Sequence, residues 1–120
     1  MDVNTIQMGS WRKAKALNIE LIDITVKSGI AAFAPNYEMV LSHKSGRITD
    51  EEYTKQYRDL MLKSYMVNTI IWNELIKKDK IALACYCHPE RFCHRHLFVK
   101  YLEGVCNSHN VPFRFLGEIE

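Results

Sequence analysis

The stretch Ile81–Tyr101, IALACYCHPERFCHRHLFVKY, decides how this chain is read. It opens with an apolar run, Ile81–Cys87, too short for a helix and long enough for a buried strand. Pro89 breaks the run, and a helical period resumes through Phe92, His96, Val99 and Lys100. Strand, short loop and helix make the βα unit from which α/β domains are built. Three cysteines, three histidines and two arginines crowd the hand-over from strand to helix. Ligands of open α/β sheets bind at the carboxyl ends of strands. The unit therefore locates a site before it names a chemistry.

Upstream, Val3–Met8 reads as a first strand followed by Gly9 and Ser10, with Ser10 as the cap of a helix over Trp11–Leu17. The turn exposes backbone N–H groups that suit an anion, although an ordinary capped helix explains the same residues. Ile19–Val26 is a second strand with Lys27, Ser28 and Gly29 at its carboxyl end, which makes a right-handed crossover. Asn36–Lys44 is a short helix closed by Ser45 and Gly46. Thr49 and Glu52 form a capping box for the next helix, where Tyr53, Tyr57, Leu60, Met61, Tyr65 and Met66 recur at helical spacing and pack as one face. Asn68–Lys77 adds a further helical piece, and Val111–Leu116 a last strand whose Pro112 suits a sheet edge. With no repeats or linkers, residues 1–120 form a single α/β domain with a mainly parallel sheet flanked by helices, in two or three layers.

The composition agrees. Apolar residues make up 48% and charged residues 25%, ordinary for a globular domain. A net charge of +2 is small for gripping the phosphates of a long nucleic acid, so a small anionic ligand fits better. No apolar run has the length of a membrane span and the start, with Asp2 and Asn4, does not read as a signal peptide, so a cytoplasmic location is expected. Of the four cysteines, Cys85, Cys87 and Cys93 crowd one strand and turn, and only Cys106 stands apart. In a reducing cytosol such crowding points to ligands or reactive thiols rather than disulfides.

Three chemistries are open to this cluster. Cations in the first turn of a helix cost about 0.3–1 kcal/mol, and a bound anion reverses that sign. Arg95, with Cys93 and His94 beside it, can fork to a phosphate, and Lys27 and Arg12 join it if the sheet is parallel. Against this, Arg95 could instead pair with Glu90 or face solvent. The second chemistry is zinc, since Cys85, Cys87, His88, Cys93, His94 and His96 all carry competent side chains, with Cys85, Cys87, His88 and Cys93 the expected set. The simpler reading of Cys85 is a small buried hydrophobe, and no cofactor is required. Third, Cys93 at a helix start beside histidines and an arginine has the setting of a catalytic thiolate. Asp23 and Glu20 read as surface residues.

The runs ALACYC and FCHRHL, a helix reaching YLE, and upstream TIQMGSWRKAK and DITVKSGIAAFAP resemble the family called domain of unknown function 488, including its small phage and bacterial members. The resemblance implies a small Rossmann-like fold, distantly similar to Rossmannoid proteins that sense or process nucleotide-derived ligands. It assigns the motif to Thr25, Lys27, Ser28 and Gly29 and to Cys85, Cys87, Phe92, Cys93, His94 and Arg95; His88 departs from the family pattern. The expected site is thus Gln7, Gly9, Ser10, Trp11 and Arg12 after the first strand, Thr25, Lys27, Ser28 and Gly29 after the second, and Tyr86, Cys87, Phe92, Cys93, His94 and Arg95 after the third. Tyr86, Phe92 or Trp11 would stack on a base. The expected function is binding of an ADP-ribose or cyclic-nucleotide type of ligand, with sequestration of host immune signals as its purpose in phage. A Cys93-dependent nucleotide hydrolase or transferase and a zinc-stabilised interaction module are the alternatives, and a homodimer is the expected assembly.

Overall fold

The computed structural model describes residues 1–88 and 91–120; Pro89 and Glu90, where the break and one partner of Arg95 were expected, lie outside the described residues. The elements run β1 (Asp2–Gln7), a short 3-10 turn (Met8–Ser10), α1 (Trp11–Ala16), β2 (Glu20–Asp23), α2 (Tyr37–Lys44), α3 (Asp50–Val67), α4 (Thr69–Ile76), β3 (Lys80–Cys85), α5 (His94–Ser108) and β4 (Arg114–Ile119). The strands form one sheet in the order β2-β3-β1-β4, every pairing parallel. The α/β class and the parallel sheet are as the sequence implies, in a small Rossmann-like domain.

The alternation of side chains along a strand sorts the core into two layers. Ile81 and Leu83 of β3 face a large cluster with Tyr57, Met61, Trp72, Leu75, Phe98 and Leu102 from α3, α4 and α5. Ala82 and Ala84 face the other way, onto Ile6 and Ala14 of the short α1. Small residues on that face let a helix of less than two turns lie close to the sheet. The domain is a three-layer sandwich, thin on the α1 side.

Two crossovers set where a ligand can enter. From β1 the chain passes through α1 to β2, beyond β3; from β3 it passes through α5 to β4, beyond β1. The two helices lie on opposite faces of the sheet. Neighbouring strands β1 and β3 thus send their chains to opposite faces, and in open α/β sheets ligands bind at the carboxyl ends of such a strand pair.

Several boundaries differ from the sequence reading. β2 ends at Asp23 instead of Val26 because the Asp23 carboxylate accepts from Thr25 N at 2.9 Å, Thr25 Oγ1 at 2.7 Å and Ser28 Oγ at 2.7 Å, folding the chain into a turn. Gly29 closes that turn where a Cβ would stand 2.4 Å from Thr25 N, so a larger residue cannot fit without moving backbone. Ser10 makes no capping hydrogen bond and belongs to the 3-10 turn ahead of α1. β4 begins at Arg114, three residues past Val111, and holds the edge position expected of it.

The capping box of Thr49 and Glu52 is present, and Asn36 caps α2 through Met39 N. On α3, however, Met66 is 74% exposed, and the buried position in that turn is Ser64. Ser64 Oγ donates to Ala32 O and accepts from Trp72 Nε1 at 3.1 Å, tying the loop before α2 to α3 and α4. Trp72 packs there with Phe33 and Phe98 at centroid distances of 5.0 and 5.3 Å. Ser64→Ala leaves a buried indole N–H and a buried carbonyl unpaired at a cost of about 2–3 kcal/mol. Calorimetry should show Tm lowered by roughly 10 °C; an unchanged Tm would mean the pair is not what holds this corner.

Candidate functional site

β3 and α5 build the site between them. Cys85, the last residue of β3, projects to the same side as Ile81 and Leu83, toward α5, and Cys87 stands beside it from the loop that follows. Their sulfurs lie 3.8 Å apart. Cys93, extended at φ −151°, is the N-cap of α5, and His94 is its first helical residue. His94 Nδ1 stands 4.0 Å from Cys85 Sγ and 3.8 Å from Cys93 Sγ, while its Nε2 is 2.7 Å from the Ile24 carbonyl. A carbonyl only accepts, so Nε2 carries the proton and the Nδ1 lone pair faces the sulfurs. Burial pushes the His94 pKa down, which favours this neutral ring.

The thiols share their protons unequally. Hydrogen bonds from Cys85 and then Cys93 pull the Cys87 thiol well below its ordinary value, with His94 and Arg95 adding to the effect. Donating to Cys87 raises Cys85, and Cys93 is raised by both neighbours. Cys93 is 3% exposed, which sets the thiol expected to attack a substrate away from the surface. Cys87 is the more accessible thiol. The residues that could hold a metal also change by one: Cys85, Cys93 and His94 bring ligand atoms within 4.8 Å of one another, with Cys87 against Cys85, whereas His88 is exposed.

Arg95 is not a phosphate clamp. Its side chain is fully buried and its guanidinium donates to Glu118 Oε1 at 3.3 Å and Oε2 at 3.2 Å, and to the Cys87 carbonyl at 3.0 Å. It braces α5, β4 and the loop after β3 from within. Breaking one side of such a pair strands the other charge.

The remaining expected residues divide. Gln7 pairs in register with Cys85, so the end of β1 abuts the cluster. Gly9, Trp11 and Arg12 are exposed at the start of α1, and Ser10 is half-buried. The Arg12 guanidinium lies 4.6 Å over the Trp11 ring. Thr25 is buried inside the Asp23 turn, Gly29 closes it, and Lys27 and Ser28 are exposed on it. Tyr86 is 57% exposed and its hydroxyl meets Ser28 Oγ at 3.4 Å, bridging the β2 and β3 loops. Phe92 instead packs against His43 and Tyr53, at centroid distances of 5.0 and 5.5 Å, which occupies it as a core residue.

Two residues of the site escape a sequence reading. Asp23 is the hub of the second loop, and its spacing to Thr25 and Ser28 was a usable signal, since Asp bonds the backbone two residues on. Glu118 has no local signal; only the strand order brings it to Arg95.

Two predictions follow from this geometry. Arg95→Ala should lower stability by about 3–5 kcal/mol in urea unfolding, and the double variant Arg95→Met with Glu118→Leu should recover a large part of it. Burial raises the Asp23 carboxyl, but the bonds from Thr25 and Ser28 outweigh it and the folded pKa lies below the ordinary value. A depressed folded pKa contributes stability above the unfolded value of about 3.9, lost as pH falls through the folded one. The stability difference between wild type and Asp23→Asn should accordingly be constant above roughly pH 5 and shrink toward pH 2.

Nothing among curated proteins or solved structures matches this chain. Residues 13–104 match a family model described as the active DUF488-N3 subclade. That span runs from α1 to α5 and contains the Asp23 turn, the three thiols, His94 and Arg95; the chain belongs to the DUF488 family.

Proposed function

We propose that the chain binds a small nucleotide-derived anion, of the ADP-ribose or cyclic-nucleotide kind, in the crevice between the carboxyl ends of β1 and β3. The observation that carries this reading is the switch point itself, where α1 and α5 leave neighbouring strands on opposite faces of the sheet. The chemistry along that edge supports an anion. Arg12 in the first turn of α1, after β1, and Lys27 and Arg91 on the loops after β2 and β3 are exposed. The acids Asp23 and Glu118 are engaged with Thr25, Ser28 and Arg95, with Glu120 the exposed acid after β4. Trp11, 39% exposed, and Tyr86 offer the flat surfaces a base needs.

Sequestration of a host signalling nucleotide is the purpose this reading favours, on the strength of the resemblance to phage members. A second copy of the chain closing the crevice belongs to the same reading. With Cys93 buried, catalysis by that thiol has no support.

Native mass spectrometry with AMP, ADP-ribose and cyclic dinucleotides tests ligand and subunit number together, followed by titration of Trp11 fluorescence. Arg12→Ala removes one charge-assisted contact and should weaken binding about tenfold, and Tyr86→Ala should act similarly through lost stacking of about 1–3 kcal/mol. No binding of any of these probes below millimolar concentration would overturn the reading, and conversion of a probe to product would replace binding with catalysis.

A further inference from the structure

The structure assigns a zinc site to Cys85, Cys87, Cys93 and His94, closed by three thiolates and one imidazole. The reasoning is geometric. Zn–S distances near 2.3 Å and Zn–N near 2.0 Å set tetrahedral edges of about 3.8 Å between sulfurs and about 3.5 Å between sulfur and nitrogen. Cys85 and Cys87 stand at 3.8 Å, and His94 Nδ1 at 3.8 and 4.0 Å from Cys93 and Cys85. Cys85, Cys93 and His94 already hold their ligand atoms within 4.8 Å of one another, and Cys87 completes the set by moving in from beside Cys85, whereas a disulfide would draw a pair of these sulfurs to about 2.05 Å.

The imidazole is the discriminating feature. Donation from Nε2 to the Ile24 carbonyl at 2.7 Å leaves Nδ1 without a proton, aimed at a group of sulfurs. Metal-bound histidines are held in this way, the second nitrogen donating to a carbonyl that fixes tautomer and ring orientation. A thiol is a weak donor and gives poor compensation for orienting a buried ring so tightly. The donors are soft, which selects zinc over magnesium or calcium. Thiolates at the amino end of α5 also sit where the helix dipole favours negative charge. Arg95, following His94 in α5, donates to the Cys87 carbonyl and holds the loop that carries Cys87 in place.

The zinc site is independent of the proposed ligand: its four residues are not those offered to the anion, and it pins the β3 loop to α5. Its test uses the full chain, with one zinc per chain expected by native mass spectrometry and elemental analysis after purification. Replacement by one equivalent of cobalt(II) should give the visible absorption of a tetrahedral ion together with sulfur-to-cobalt charge transfer. Cys87→Ser should weaken zinc binding at least about tenfold, while Cys106→Ser, a buried cysteine elsewhere on α5, should leave it unchanged. Should Cys87→Ser fail to fold, the cobalt spectrum of the wild type decides by itself. Metal-free protein with no cobalt bands, and cluster thiols alkylated at one rate with or without zinc, would overturn the assignment. A mass two hydrogens lighter, traced to these cysteines, would overturn it as well.

Discussion

A guanidinium with no solvent contact sets the terms for the carboxyl end of this sheet. Arg95 can remain charged there only while Glu118 and the Cys87 carbonyl satisfy it, because an isolated buried charge costs several kcal/mol. Meeting that requirement fixes three things at once: the rotation of α5, the reach of β4 and the path of the loop after β3. The thiols and His94 inherit their arrangement from it. A cation that looks from the sequence like a ligand clamp is thus spent on architecture.

The second loop follows the same logic on a smaller scale. Asp23 ends its own strand by capturing Thr25 and Ser28, and Gly29 lets the chain return against it with no room for a side chain. Thr25 and Ser28 are positioning residues first. The Tyr86 hydroxyl at Ser28 then joins this loop to the β3 loop.

Much of this was legible in the chain. The short apolar run at Ile81–Cys85 and the capping box at Thr49 and Glu52 showed the central strand and a helix start, because they are local effects of backbone geometry. The same locality located the thiol cluster, which spans only nine residues from Cys85 to Cys93. What was not legible depends on distant partners. Glu118 meets Arg95 only because β4 lies beside β1, and Phe92 left the site because Tyr53 and His43 wait for it. His88 and His94 are equivalent as letters, and only the helix start at His94 turns one ring inward.

The position of β1 has a consequence for how the molecule comes into being. This strand is made well before its neighbours in the sheet, with Asp2 opposite Lys80 on one side and Arg114 on the other. Long loops must close before any of its ladder bonds form, so folding belongs to the slow, high-contact-order class. On the ribosome the thiols and Arg95 emerge ahead of Glu118, leaving a nascent chain whose cysteines are uncovered and whose buried cation still lacks its counter-charge.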